Sequence, residues 1–155
     1  MTNKKKHIFW FEEDLELLKD YYNSLLDVFD VTFGASLDLV KQKRHVDLLI
    51  LDIMIHQKSI VLNGKEIENL TYGEPSWDTT GMEFLSRVRE GEYKVFGFNK
   101  NVPVVIYSCR SEFTIRERAK ELKVSAFLEK PVSIDKFIGT VTGVLDGTYT
   151  EKSKP

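Results

Sequence analysis

Asp52 closes an uninterrupted apolar run, Leu48-Leu49-Ile50-Leu51, and a carboxylate at that point belongs on the rim of a sheet and not inside it. Comparable groups end three other runs. Glu12-Glu13-Asp14 follows His7 to Phe11, Ser108 follows Val102 to Tyr107, and Lys130-Pro131 closely follows Ala126 to Leu128. Carboxylate oxygens in such a cluster suit Mg²⁺, which keeps several waters and takes one or two carboxylates plus a phosphate. A carboxylate can also attack a phosphoryl group, but anion then approaches anion and local cations are required. A divalent ion and the mobile ammonium of Lys130 would supply them.

These groups can meet only if the strands that carry them are parallel. The apolar pattern alternates strand and helix five times: Ile8 to Phe11, then Leu17, Leu18, Tyr21, Tyr22, Leu25 and Leu26 at helical spacing. Val28 to Phe33 reads as a second strand, with Ser36 as cap of a short helix to about Arg44. After the strand ending at Asp52, Gly81 to Arg89 forms a helix with Met82, Leu85 and Val88 on one face, and Ser111 caps another reaching Leu122. The last helix carries Ile134, Phe137, Ile138, Val141, Val144 and Leu145 as its stripe, between Ser133 as cap and Gly147. Strands alternating with helices pack as an α/β sheet whose carboxyl ends open on one ligand-binding edge.

Two stretches break the rhythm. Between Ile55 and Thr80 there is no helical period, and Asn63-Gly64 separates short runs within Ser59 to Ile67, the pattern of a tight β-hairpin. Gly91 to Asn101 is a smaller excursion holding Tyr93, Phe96 and Phe98. Composition, 42% hydrophobic with 30% charged, is that of one folded domain, and a formal charge of −2 gives no field for nucleic acid. The single cysteine, Cys109, is expected as a small buried residue. With no apolar stretch near the ~20 residues of a membrane span and no leader-like start, the expected location is cytoplasmic and off the membrane.

Taken together, the acidic pair Glu12/Glu13, Asp52, Ser108 and Lys130-Pro131, in that order, resemble the receiver domain of two-component response regulators over nearly the whole chain. The resemblance implies a doubly wound, flavodoxin-like five-stranded parallel sheet of order 2-1-3-4-5 with helices on both faces. It implies a receiver domain over 1–147, with an insertion at about 55–80 that holds the hairpin at 59–67, and a flexible tail at 148–155. Asp52 would be the phosphoacceptor, with Ser108 and Lys130 completing the catalytic group. Glu12, Glu13, Asp52 and the Met54 carbonyl would hold Mg²⁺. Ser108 and the aromatic Phe127 would form the switch. A sensor histidine kinase or phosphotransfer protein is the implied donor and a separate target protein the implied recipient, since the tail is too short for an output domain.

The chain departs from that pattern in several places, among them Lys123 where a glycine is frequent. Its acidic pair is Glu-Glu, Ile55-His56 replaces a proline common after the phosphoacceptor, and the helix-opening Gly81 follows a long insertion in place of a short loop. Those departures define the rival reading, a pseudo-receiver that keeps the fold and binds partners without phosphorylation. A dehalogenase-type phosphatase needs a second aspartate two residues after the nucleophile, where this chain has Met54, and Gly64-Lys65 lacks the rest of a P-loop. Asp14 reads as a helix-start charge.

Overall fold

Strands that are apolar on both faces need cover on both faces, and the chain supplies it with helices on either side of one sheet. The computed structural model describes residues 5–34, 37–54, 59–62, 65–68 and 80–150. In chain order the elements are β1 (His7–Phe11), α1 (Lys19–Leu26), β2 (Asp30–Gly34), β3 (Leu48–Leu51), β4 (Ser59–Leu62), β5 (Lys65–Glu68), α2 (Thr80–Arg89), β6 (Val104–Ser108), α3 (Phe113–Glu121), β7 (Ala126–Glu129) and α4 (Ile134–Asp146). Five strands pair in the order β2-β1-β3-β6-β7, all parallel, while β4 and β5 form a separate antiparallel pair. With the hairpin left out of the count, this is the expected 2-1-3-4-5 sheet.

The period of two along each strand sorts the core. Phe9, Phe11, Leu49 and Leu51 face α2 and α3, where they meet Phe84, Leu85, Ile115 and Ala119. Ile8, Trp10, Leu48 and Ile50 face α1 and α4, against Leu25, Phe137 and Val141. The excursion after α2 belongs to the first core. The Phe98 ring stands edge-on to Phe9 with centroids 5.1 Å apart, and Tyr93 packs on Phe84 at 4.9 Å.

Parallel pairing continues one step beyond the strands and sets the site. The Glu12 amide donates to the Gly34 carbonyl at 2.9 Å, Asp52 to Phe11 at 3.0 Å, and Lys130 to Ser108 at 2.9 Å. Thus each residue at the rim is fixed in height by a backbone hydrogen bond to the neighbouring strand.

Local expectations met mixed outcomes. Ser133 caps α4 by accepting from the Lys136 amide at 3.1 Å, and Gly147 ends it at φ +76°. Ser111 does not cap α3; Glu112 stands at that position, and its side chain makes no capping bond. Leu17 is 80% exposed because α1 begins only at Lys19, after a turn that leaves Leu17 outside the buried stripe. In place of a helix to Arg44 the chain makes a 3-10 helix, Leu37–Gln42, and then turns at Lys43 with φ +53°. Cys109 is exposed and not buried, because β6 ends one residue earlier and the chain leaves the sheet there. In the insertion, β4 runs beside that 3-10 helix. The Asn63-Gly64 turn, His56 and Trp77 lie outside the described residues.

Gly81 ties α2 to the rim. Its amide donates to the Ile53 carbonyl at 2.9 Å, and a Cβ there would stand 2.0 Å from the Asp52 carbonyl oxygen. Backbone cannot yield as a flexible side chain can, so Gly81→Ala should destabilise the domain by about 2–3 kcal/mol. A Cβ added at Gly139, within α4, would meet no neighbouring atom within 4 Å, and Gly139→Ala should stabilise by about 0.5–1 kcal/mol. Urea unfolding of the two variants checks both signs.

Candidate functional site

A carboxylate removed from water must find donors or cations, and the rim provides both for two of its acids. Glu12 is fully buried and Asp52 is 4% exposed. One Glu12 oxygen, Oε2, accepts from the amides of Glu13 and Asp14, each at 3.1 Å, which folds the side chain back over its own loop. The Asp52 Oδ1 accepts from the Ile53 amide at 2.7 Å. The Lys130 ammonium then lies 3.1 Å from Glu12, 3.2 Å from Asp52 and 3.6 Å from Asp14. Its Nζ also stands 5.5 Å from the centre of the Tyr107 ring, a cation–π contact. Tyr107 is itself fixed, its hydroxyl accepting from the Val132 amide at 3.3 Å. The Lys130-Pro131 bond is cis.

Ionisation follows from this crowding. Burial, and next the Asp52 carboxylate, push the Glu12 carboxyl up to about 7 against the pull of Lys130. Burial alone would lower the Lys130 ammonium, but Glu12 and Asp52 outweigh it and push it up to about 12. The site is therefore short of positive charge at neutral pH, even with its lysine in place.

A divalent cation fits that deficit. Oxygens of Glu12, Asp14 and Asp52 lie within 4.8 Å of one another, and Glu12 Oε1 is buried with no hydrogen-bond donor, although the Lys130 ammonium is near it. A buried oxygen that has only an ion-pair contact with Lys130 inside an acidic cluster suits a hard cation. Asp14 enters this cluster while Glu13, half-buried beside it, is not one of the three. The reason is local. With α1 starting at Lys19, residues 13–18 form a loop and turn, and the spacing of Glu12 and Asp14 brings alternate side chains to one side. Asp14 is thus a member of the acidic cluster, ahead of α1 and not within its first turn.

The other expected residues sit as follows. Ser108 is fully buried at the end of β6, its Oγ accepting from the Arg110 amide at 3.2 Å. Phe127 is 7% exposed on β7, opposite Ile106 in the sheet register, with the Arg116 guanidinium over its ring. Met54 is half-buried at the end of the described loop after β3. Tyr107 and Tyr21, whose hydroxyl donates to the Val132 carbonyl, are additions that the sequence pattern does not single out.

No family model and no curated protein matches the chain by sequence. Solved structures match it closely in shape. A CheY-like response regulator receiver domain protein from Methanospirillum hungatei superposes with a TM-score of 0.64 at 16% identity, covering 97% of this chain and 100% of that one. The chemotaxis protein CheY4 of Vibrio cholerae gives 0.64 at 18% identity, over 90% of this chain and 98% of that one. A DrrB receiver domain activated with BeF₃ gives 0.64 at 14% identity, over 93% and 99%. The chain has the fold of CheY-like response regulator receiver domains.

Two outcomes test the site. Asp14→Asn should weaken Mg²⁺ binding more than Glu13→Gln, as read from amide shifts in a Mg²⁺ titration. For Glu12, the folded state holds its proton to about pH 7 and an unfolded chain only to the ordinary 4.5. Its contribution to stability is therefore full below about 4.5 and lost as pH rises through about 7. Metal-free protein should show that decline in thermal midpoint, Glu12→Gln should flatten it, and millimolar Mg²⁺ should raise the midpoint more above pH 7 than below pH 5.

Proposed function

We propose, with the receiver fold as premise, that this chain accepts a phosphoryl group on Asp52 and signals the change to a separate protein. The observation that carries the reading is the lysine bridge: Lys130 Nζ lies 3.1 Å from Glu12 and 3.2 Å from Asp52, so one ammonium already stands where phosphoryl oxygens would arrive. A histidine kinase or phosphotransfer protein fits as donor. An Asp52 carboxylate oxygen attacks phosphorus, the oxygen–phosphorus bond forms as the donor nitrogen–phosphorus bond breaks, and the released imidazole nitrogen takes a proton from water. Mg²⁺ supplies positive charge to the phosphoryl oxygens when bound. Glu12, Asp14 and Asp52 are the side chains proposed to hold it, with the Met54 carbonyl; the place that the resemblance gives to Glu13 passes to Asp14.

The remaining residues have distinct tasks. Lys130 exchanges part of its carboxylate contact for a phosphoryl oxygen, as a point charge on a flexible stem can. The Ser108 hydroxyl, which accepts from the Arg110 amide, carries a proton that it donates to the phosphoryl group when it turns toward it. Burial around Asp52 limits the water that could hydrolyse the acyl phosphate. A phosphoryl group shifts a two-state balance only by binding one state better, and here Ser108 and Phe127, on adjacent strands, are the residues proposed to report it. The setting proposed is cytoplasmic; no helix among the described residues is long and apolar enough to cross a membrane.

Incubation with acetyl phosphate and Mg²⁺ should add one phosphoryl group by intact mass, absent in Asp52→Asn and in the presence of a metal chelator. Lys130→Ala should slow labelling by about tenfold or more, the scale of losing one positioned charge. Wild-type protein that stays unmodified beside a labelled control receiver would favour the pseudo-receiver, a binding module working without phosphorylation.

A further inference from the structure

Arg116 has no part in the chemistry above, yet it is held at three points. Its Nε donates to the Ser111 carbonyl at 3.2 Å, a terminal nitrogen lies 3.6 Å from a Glu129 oxygen, and its guanidinium carbon stands 4.6 Å from the centre of the Phe127 ring. Those partners belong to the two segments that flank Ser108. Ser111 lies in the β6–α3 loop that leaves it, and Glu129 pairs with Ser108 in the sheet register.

Phe127 borders two grooves that open to solvent. They have volumes of about 820 Å³ and about 290 Å³ and lie along β7, and Arg116 and Phe127 line both. The Phe127 ring is buried in the core on one side, and on the side of these grooves the Arg116 guanidinium lies over it. The Ser108 Oγ, in turn, accepts from the amide of Arg110, directly before Ser111. A Ser108 hydroxyl that turns toward a phosphoryl oxygen gives up that bond and frees the loop that positions the Ser111 carbonyl.

We infer that Arg116 is a positioning residue that couples Ser108 to Phe127, clamping the aromatic ring while the β6–α3 loop is in place and releasing it when that loop moves. The inference rests on the phosphoacceptor reading of Asp52. It needs the planar, forked guanidinium, which can hydrogen-bond a carbonyl, pair with a carboxylate and stack on a ring together; a lysine offers only one of these at a time. Coupling then runs through contiguous contacts: hydroxyl to amide, loop carbonyl to guanidinium, guanidinium to ring.

The test uses the whole chain with labelled phenylalanine rings, in wild type, Arg116→Gln and Arg116→Lys, each checked for native circular dichroism. In the untreated protein, Arg116→Gln should speed the Phe127 ring flip by roughly two- to thirtyfold, the range spanned by a cation–π contact. Arg116→Lys should fall between it and wild type. With Mg²⁺ and beryllofluoride, wild type should shift the signals of Ser108, Ser111 and Phe127 together, whereas Arg116→Gln should keep the shift at Ser108 and lose most of it at Phe127. Unchanged ring motion with a full Phe127 response in Arg116→Gln overturns the clamp alone. Wild type that gives no shift at Ser108 overturns the phosphoacceptor reading and the coupling with it.

Discussion

One ammonium group holds the rim together. Glu12, Asp14 and Asp52 would repel one another across a few ångströms, and two of them are almost dry. Lys130 contacts all three, and removing one partner from such a group leaves buried charge unpaired, at a cost of about 3–5 kcal/mol. The sheet serves that contact. Its parallel register brings the ends of β1, β3, β6 and β7 to one height, and backbone bonds from Glu12, Asp52 and Lys130 to adjacent strands hold the charged residues there. The Tyr107 ring adds its cation–π contact to the lysine.

Much of this is legible in the sequence because it depends on local pattern. Apolar runs that end in a charged residue can be read without a structure, and the alternation of strand and helix fixes the rest through the general preference for parallel strands joined by right-handed crossovers. Asp52, Lys130 and Ser108 are found on the expected rim for that reason. Asp14 is not legible in the same way. Its place depends on α1 starting at Lys19, and nothing in the helical spacing of Leu17 and Leu18 shows that the first turn is left out. Cys109 and Ser111 depart from expectation for a related cause: a shift of one or two residues in an element boundary decides whether a side chain is buried, capping or exposed. Arg116 cannot be foreseen, since its three partners are brought together only by tertiary packing.

The aromatic excursion after α2 shows another kind of limit. Tyr93, Phe96 and Phe98 stand in a sequence excursion through which no period of two or of 3.6 runs, so their burial cannot be read from pattern. They are buried, and they fill the space between β1, α2 and the 3-10 helix Leu37–Gln42. That 3-10 helix has fewer residues than the helix the sequence suggests, and the aromatic rings pack beside it on this face. The hairpin strand β4 lies beside the same 3-10 helix. The largest departure from a plain alternating fold thus borders the least regular of its covering elements, and both are on the α2 face of the sheet.

Stability and reactivity make opposed demands on the same lysine. With Glu12, Asp14 and Asp52 gathered around it, Lys130 is a satisfied ion, and its ammonium is held more firmly than in water. Any phosphoryl group that arrives must draw it partly away from those acids, which is favourable only if other positive charge replaces it among them. The fully buried Glu12, one oxygen of which has only its ion pair with Lys130, marks where the replacement is most needed. On the phosphoacceptor reading, a phosphoryl group arriving without a metal would leave negative charge uncompensated in a place that water barely reaches, so the lysine could be released to it only where a cation had already taken its place among the acids.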